Sequence, residues 1–380
     1  MKVCDVVKNS IWNDPRVRKQ IISYMGNDVE LVCVGIKNRE YNEEEVQKMP
    51  CPVELVEFDL KLNRSSISVF RKIYRELFTN RKICKAIVAQ KPDIIHANDL
   101  NALVPAYKAA KKLKCKLVYD SHEIFLENQG IASNRIMRFI WSRQERKIIK
   151  KIDLMICVSN AAADYFAEKY NIKRPLVVTN CAISENDFDL TGIKKNDGFE
   201  VLNHGRYFAN RGYDTMIDAC ALLSDLPEVK LSIRGFGSIE DELHKKADGL
   251  KNKKQFSFYP PVLVKEMIPE AAKSHIGVAI TVPHCLNFKL SVSNKIFEYA
   301  AAGLPVIMSD IPEHRYLNDM YSIGIILEDN TPEFLAKAIR KLYEDKELYA
   351  KCVEGAKKMS REVTWEKDFG KLLEAERKLL

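Results

Sequence analysis

The chain alternates short apolar runs, rich in β-branched residues, with longer amphipathic segments, and it does so in two separate series. Seven strand-like runs come before residue 180 and six come after residue 199. This alternation predicts a parallel sheet with helices on both faces. Residues 181–199, between the two series, are polar and rich in turn-forming residues, which is typical of a linker. We therefore predict two doubly wound α/β domains, residues 1–180 and 200–364.

Capping residues mark several of the predicted helices. Asp14 followed by Pro15 predicts a helix start, and Gly26 predicts the end of the same helix. Residues 99–113 carry apolar side chains at helical spacing, and a further helix with a well-formed N-terminus is predicted over 332–345.

Composition indicates a globular protein without membrane spans. The 380 residues are 46% hydrophobic, which is enough apolar material for two cores. No run reaches about 18 apolar residues, and the N-terminus lacks the apolar region of a signal peptide. The ten cysteines are dispersed without a CxxC pair, which is typical of reduced, buried thiols. We expect a cytoplasmic protein.

Polar residues collect where the strand-like runs end, and in doubly wound sheets ligands bind outside the carboxyl ends of the strands. One such group contains Asp120, His122 and Glu123. For His122 a structural role at the strand end and a functional role are both open. Asp120 and Glu123 are candidate acid–base groups, or they orient His122 or cap the next helix. His96 and His204 are interpreted as structural.

Two arginines, Arg206 and Arg211, bracket a short loop at the end of the first strand of the second series. Guanidinium groups in such a place can hold a diphosphate through charge-assisted hydrogen bonds, although a pair of surface arginines is the alternative. The turn RGFG contains Gly235 and Gly237, which would let the backbone approach a ligand closely.

The segment from Ser291 to Asp310 predicts a helix from about Ser293 to Gly303, followed by a buried strand. Backbone amides at the helix start would suit a phosphate or a sugar hydroxyl. Glu298 lies among small and apolar residues of this helix, where an unpaired carboxylate would be costly. Either it binds two vicinal hydroxyls, as on a ribose, or it pairs with Lys295 three residues earlier.

Several runs of the sequence resemble those of a known protein family. SNKIFEYAAAGLPVIMSDIPEH is similar to the signature of the retaining glycosyltransferases of family 4, which have the GT-B fold, and GRYFANRGYDTMIDA is similar to their diphosphate loop. The runs DPRVRKQ, VYDSHE, KIDLMICVS and TWEKDFGKLLEAERKLL also match in order. The resemblance implies two Rossmann-like domains that face a central cleft. It also implies a C-terminal helix, residues 365–380, that crosses back to pack on the first domain.

By the same resemblance, Arg206 and Arg211 would hold the donor diphosphate, Glu298 would bind the nucleotide ribose, and His122 would face the donor sugar across the cleft. The remaining donor-binding residues expected are Gly235, Gly237, Pro261, Val262, Ser291, Ser293 and Asn294, with Pro261 and Val262 beside the base.

The chain departs from the family pattern at two positions. Arg211 stands where the family often has lysine, and Leu290 stands where it often has an acid that contacts the sugar. The departure at Leu290 leaves the donor sugar open.

The resemblance implies transfer of a sugar from a nucleotide-diphosphate donor, UDP- or GDP-linked, to a glycan or lipid-linked glycan in polysaccharide biosynthesis. The configuration at the anomeric carbon would be retained, and the sequence offers no paired carboxylates for a double displacement. With no Asp-x-Asp element and no His/Cys cluster, we expect no metal and no other cofactor. Two alternatives remain open, a sugar-nucleotide epimerase and a non-catalytic sugar-nucleotide-binding protein.

Positive charge is concentrated in two blocks of the first domain. Residues 61–90 hold eight Lys and Arg against one Glu, and residues 135–151 hold seven against one. Both blocks interleave apolar residues with the charge, which suits an anionic membrane surface, although ordinary solvated helices explain either block alone. No base-reading motif accompanies the charge, so we do not expect a nucleic-acid partner.

Overall fold

A computed structural model of the chain describes residues 1–9, 11, 14–37, 43–57, 69–182 and 188–380, with the backbone alone for residues 45, 69–73 and 129. The chain divides into two compact units. The first contains Met1–Thr179 and Asp368–Leu380, and the second contains Asn180–Lys367.

The first unit is built on a seven-stranded parallel sheet in the order β3-β2-β1-β4-β5-β6-β7. Its strands are β1 (Lys2–Val6), β2 (Glu30–Lys37), β3 (Val53–Glu57), β4 (Ile94–Asn98), β5 (Lys116–Ser121), β6 (Leu154–Cys157) and β7 (Leu176–Val177). Its helices are α1 (Pro15–Met25), α2 (Glu43–Gln47), α3 (Val69–Gln90), α4 (Asp99–Leu113), α5 (Gln129–Ala132), α6 (Arg135–Ile148) and α7 (Asn160–Tyr170).

The second unit is built on a six-stranded parallel sheet in the order β10-β9-β8-β11-β12-β13. Its strands are β8 (Phe199–Tyr207), β9 (Val229–Gly237), β10 (Phe256–Tyr259), β11 (Ile276–Ala279), β12 (Val306–Ser309) and β13 (Gly324–Leu327). Its helices are α8 (Tyr213–Ala221), α9 (Glu240–Asp248), α10 (Val264–Ala271), α11 (Leu286–Leu290), α12 (Asn294–Ala301), α13 (Pro312–Tyr321), α14 (Pro332–Glu344) and α15 (Lys346–Glu362). A last helix, α16 (Trp365–Arg377), contains the boundary between the units.

Both sheets reverse their strand order next to their first strand, between β1 and β4 and between β8 and β11. Ligands of doubly wound sheets bind outside the carboxyl ends of the strands at such a point. The prediction of two doubly wound parallel-sheet domains is confirmed, because each strand arises from one of the apolar runs identified in the sequence. Their central strands are buried on both faces, as a sheet covered by helices requires.

The strands β8 and β9 extend further than their apolar runs. The segment Arg234–Gly237, predicted as a turn, is the last part of β9 and pairs with the end of β8. Gly235 makes this pairing possible. Its φ is +148°, and a Cβ at this position would lie 1.9 Å from the Gly205 carbonyl oxygen.

The predicted helix boundaries follow the capping chemistry. The Asp14 carboxylate accepts hydrogen bonds from the Arg16 and Val17 amides at the start of α1. At the other end of the chain, the Asp368 carboxylate accepts from the amide and hydroxyl of Thr179, which attaches that part of α16 to the first unit. All ten cysteines are free thiols.

Candidate active site

His204, in the C-terminal part of β8, and Glu298, on α12, form the centre of a polar cluster. The Nε2 atom of His204 lies 2.7 Å from Glu298 Oε2, and 20% of the Glu298 side chain is exposed. The imidazole therefore fixes the direction of the carboxylate while leaving it accessible. The alternative pairing with Lys295 is not observed, because the Lys295 ammonium lies 2.5 Å from Asn203 Oδ1.

The two arginines of the predicted diphosphate loop are braced by aromatic rings. Arg211 stacks on Phe288 with its guanidinium carbon 4.6 Å from the ring centre. Arg206 is exposed, and its guanidinium carbon lies 5.2 Å from the ring centre of Phe208 and 5.6 Å from that of Phe236. Stacking restricts these flexible side chains, so less freedom is lost when they bind an anion.

The start of α12 brings backbone amides to the same region. Ser293 occupies the N-cap position with extended backbone geometry, and Asn294 is the first helical residue. A helix start of this kind presents amide donors and the positive end of the helix dipole to an anion. Ser291, which precedes the cap, donates its hydroxyl to the Phe288 carbonyl oxygen at 3.3 Å.

Gly235 and Gly237, the two expected donor-binding glycines, have a structural reason to be glycine. A Cβ at Gly237 would lie 2.2 Å from the Tyr207 carbonyl oxygen, as one at Gly235 would meet Gly205. Close pairing of β8 with β9 therefore explains both glycines. Their contact with a donor remains a prediction.

Pro261 and Val262, the residues expected beside the base, lie in an exposed connection between β10 and α10. The neighbouring Leu263 is 62% exposed. Arg234, at the end of β9, donates to the Pro260 carbonyl oxygen at 3.3 Å and pairs with Glu270 at 3.1 Å. Arg234 thus anchors the start of this loop to the sheet.

His122 follows β5 in the first unit, within a cluster of polar groups. Its Nε2 lies 3.0 Å from Asn98 Oδ1 and 3.7 Å from Asp120 Oδ2, and its backbone amide donates to Asp99 at 3.0 Å. Burial alone would lower the pKa of His122, but the charges of Asp99 and Asp120 outweigh it and raise the pKa. The imidazole is therefore biased towards its charged form.

Asp120 is fully buried and belongs to an ion network. Arg16 reaches both of its oxygens, at 3.0 and 2.9 Å, and Gln20 donates to Oδ2 at 2.7 Å. Burial alone would raise the pKa of Asp120, but Arg16 and His122 hold it well below its usual range. An ionised carboxylate of this kind orients His122 and cannot act as a general acid. Glu123 instead accepts from the Asn128 amide at 2.8 and 2.9 Å.

The same network holds α16. His96 Nδ1 lies 2.9 Å from Glu376 Oε1, and Tyr24 donates to the Glu376 carboxylate at 2.8 Å. His96 is completely buried, in agreement with its interpretation as structural. Burial alone would lower its pKa, but hydrogen bonds to Asp120 and Glu376 raise it to about 10.

Both units of the chain match models of known protein families. A family model described as "Glycosyl transferases group 1" matches residues 186–359, and one described as "Glycosyltransferase Family 4" matches residues 22–186. An uncharacterised glycosyltransferase of Methanocaldococcus jannaschii is 23% identical over 307 residues, which are 78% of this chain and 76% of that protein.

Solved glycosyltransferase structures have the same fold over the full chain. HepE of Anabaena in complex with UDP superposes with a TM-score of 0.76 at 16% identity and covers 100% of both chains. Sucrose-phosphate synthase of Thermosynechococcus elongatus superposes with a TM-score of 0.75 at 13% identity, covering 100% of this chain and 99% of that one. The two family models and the shared fold together indicate a glycosyltransferase of GT-B type.

The glycosyltransferase has functional candidates that the sequence did not reveal. His204 was interpreted as structural, yet it holds Glu298. Lys295 was considered only as a partner for Glu298, and Arg234 was not singled out. The contact of His204 with Glu298 and that of Lys295 with Asn203 each join residues more than 90 positions apart in the sequence. Only the fold brings these residues together.

The described residues of this glycosyltransferase contain no group of three or more His, Cys, Asp or Glu side chains arranged to hold a metal ion. Within the same residues, no helix is both long and apolar enough to span a membrane.

A basic groove lies between α3, α4 and α6 of the first unit, with a volume of about 1060 Å³. Seven cationic side chains line it: Arg81, Lys82, Lys85, Lys108, Lys111, Lys112 and Lys147. The acid of each basic block is engaged elsewhere. Glu76 accepts from Lys8, and Glu145 is buried and accepts from Tyr170. The charged side chains that line the groove are therefore all cationic.

Proposed function

We propose that the glycosyltransferase transfers a sugar from a UDP-linked donor to a glycan or lipid-linked glycan, with retention at the anomeric carbon. The observation that carries the proposal is the accessible carboxylate of Glu298, which His204 of β8 holds on α12. The guanidinium of Arg211 and the carboxylate of Glu298 are both close enough to Lys295 of the same helix to influence its charge. Cations beside a carboxylate match the two halves of a nucleoside diphosphate, a diphosphate and a ribose diol. UDP is favoured as the nucleotide because HepE was crystallised with UDP and with UDP-glucose.

The proposed chemistry is electrostatic. As the bond between sugar and diphosphate breaks, negative charge grows on the departing phosphate, and donors already in position lower the barrier. Arg206, Arg211 and the amides near Ser293 would supply these donors without a metal. The leaving phosphate oxygen would accept the proton of the attacking hydroxyl. His122, charged and held by Asp120, would contact the donor sugar.

The proposed place of action is the cytoplasmic face of a membrane. The basic groove can pair with anionic headgroups, and apolar side chains next to it can enter the headgroup region. On α3, Tyr74 and Phe78 are 72% and 50% exposed, and on α6, Ile136 and Phe139 are 57% and 62% exposed. Within the two basic blocks, the side chains of Arg71 and Lys72 lie outside the described part of the chain, and Trp141 is buried and packs on Phe125.

The test begins with a thermal-shift screen of UDP, GDP and their sugars, followed by calorimetry on those that stabilise the protein. Stabilising donors are then incubated with a glycan and lipid-linked glycan panel, with and without EDTA, and product linkage is assigned by NMR. Transfer with retention that survives EDTA is expected. Binding without any turnover would favour a non-catalytic protein, and release of an epimerised sugar without acceptor would favour an epimerase. Activity lost on chelation and restored by manganese would contradict the metal-free mechanism.

A further inference from the structure

Lys295 lies in the first turn of α12 and contacts polar groups that carry no negative charge. Its Nζ is 2.5 Å from Asn203 Oδ1 and 3.4 Å from the Tyr213 hydroxyl, and it stands over the Tyr213 ring at 4.8 Å. Asn203 and Tyr213 are both buried. The ammonium is thus held in a defined position by neutral groups, without the direct ion pair that a partly buried cation usually receives.

The electrostatic surroundings disfavour a cation at this place. The start of a helix carries partial positive charge. Burial and, to a smaller extent, Arg211 lower the pKa of Lys295 to about 7, although Glu298 opposes both effects. The Glu298 carboxylate is directed by its hydrogen bond to His204.

The other groups packed around Lys295 do not compensate its charge. The Tyr213 hydroxyl donates to the His204 carbonyl oxygen at 3.3 Å, and the Tyr299 hydroxyl accepts from the His204 amide at 3.0 Å. Burial raises the pKa of both tyrosines, so both are neutral at physiological pH.

The space in front of Lys295 is kept open by a glycine. Gly205 has φ +125°, and a Cβ there would lie 3.5 Å from Lys295 Cε and 3.3 Å from the Tyr213 hydroxyl. A larger side chain at this position would cover the ammonium. The site therefore combines a fixed lysine, a nearby guanidinium, a helix start and an open approach.

We propose that Lys295 is a third cationic ligand of the donor diphosphate and that it takes up a proton when the nucleotide binds. The inference rests on the proposed function, because it deepens the use of the same site. A diphosphate brings more than one negative charge to the start of α12, and this charge favours the ammonium over the neutral amine. Donor binding and proton uptake are then linked.

The first test is calorimetry of UDP binding to the wild-type protein in two buffers of different ionisation enthalpy at about pH 8. The difference between the two apparent enthalpies gives the number of protons exchanged. We expect uptake of roughly one proton, falling towards zero at about pH 6, where Lys295 is already charged. UDP binding with no proton uptake at either pH would overturn the inference.

The second test uses Lys295→Met and Lys295→Arg, with Lys351→Met, an exposed lysine on α15, as the matched control. Lys295→Met should weaken UDP binding about ten- to hundred-fold and abolish the proton uptake. Lys295→Arg should retain most of the affinity but exchange no proton, because guanidinium stays charged. Uridine should bind all three variants alike, which separates a lost phosphate contact from a misfolded site.

The outcomes separate the inference from the proposed function. If no nucleoside diphosphate binds the wild-type protein, the proposed function fails. If UDP binds and Lys295→Met binds it equally well, the proposed function stands and the role of Lys295 is wrong.

Discussion

His204 and Glu298, 94 positions apart in the chain, are joined by a hydrogen bond of 2.7 Å between Nε2 and Oε2. This hydrogen bond fixes the direction of the Glu298 carboxylate. Lys295, on the same helix, contacts Asn203 instead. A carboxylate held in this way by an imidazole has its direction fixed before a ligand binds. Substitutions at Glu298 should therefore affect nucleotide binding more than stability.

Glu298→Gln should reduce UDP affinity by about 1.5–3 kcal/mol, the contribution of hydrogen bonds to a charged group. The amide keeps the shape and can still accept from His204, so the thermal midpoint should change little. Calorimetry with UDP measures the first quantity and thermal unfolding the second. Full affinity combined with a lowered midpoint would mean that Glu298 serves only to hold His204.

Arg206→Ala should cost about 2–4 kcal/mol of transition-state stabilisation, because it removes a charged donor from the departing diphosphate. The measurement is kcat/KM for transfer with a saturating acceptor. Arg340→Ala is the matched control, since that arginine also lies at the surface, with 33% of its side chain exposed, and pairs with Asp225 at 2.8 Å. Wild-type turnover in a correctly folded Arg206 variant contradicts the assignment.

The strands of this protein are predictable because a parallel sheet buried on both faces needs continuous apolar runs, such as Leu154–Cys157. The ends of β8 and β9 are not predictable in the same way. There a glycine pair, Gly205 and Gly235, permits close pairing of polar segments that read as a turn. The pattern of apolar and polar side chains alone does not predict such backbone contacts.

The candidate site was predictable to the extent that it is local in sequence. Arg206 and Arg211 belong to one loop, and Glu298 stands out because it is a carboxylate in an apolar helix. The partner of Glu298 could not be deduced, because a lysine three residues away was the plausible local choice. For the basic groove, the contribution of α4 was missed, since its lysines lie outside both charge blocks and join them only in the fold.

Glu376→Gln should lower the free energy of unfolding by about 3 kcal/mol, because it removes one charged partner of a buried ion network and leaves Asp120 as the acidic partner of His96. Glu374→Gln is the control on the same helix. Its pairing with Lys378 is exposed to solvent, so its loss should change stability little. Urea unfolding measures both changes, and equal effects would show that the buried network does not stabilise the unit.

The contribution of His96 to the free energy of unfolding should decrease as pH rises. The pKa of His96 is raised from 6.5 to about 10 in the folded state. Its contribution to stability is therefore complete below about pH 6.5 and is lost as pH rises through about 10. Between these limits the slope from this group is at most about 1.4 kcal/mol per pH unit, and Glu376→Gln should flatten it.

Binding to vesicles that contain phosphatidylserine should depend on the basic groove and weaken as salt rises. Charge reversal of Lys108, Lys111 and Lys112 to glutamate should reduce sedimentation with these vesicles about tenfold or more, since each lysine near an anionic surface contributes about 1 kcal/mol. The same reversal at the exposed lysines 251, 253 and 254 of the second unit is the control. Equal recovery in the supernatant with and without anionic lipid at low salt would leave the groove without a membrane role.

Residues 368–380 have a consequence for how the protein is made. They complete the first unit, but the ribosome adds them only after all of residues 180–367. Until they emerge, the nascent chain holds His96 and Tyr24 without the carboxylate of Glu376 and Thr179 without that of Asp368. The N-terminal half therefore cannot reach its final form until residues 368–380 have been synthesised, and a chain truncated before residue 368 would expose this defect to chaperones and proteases.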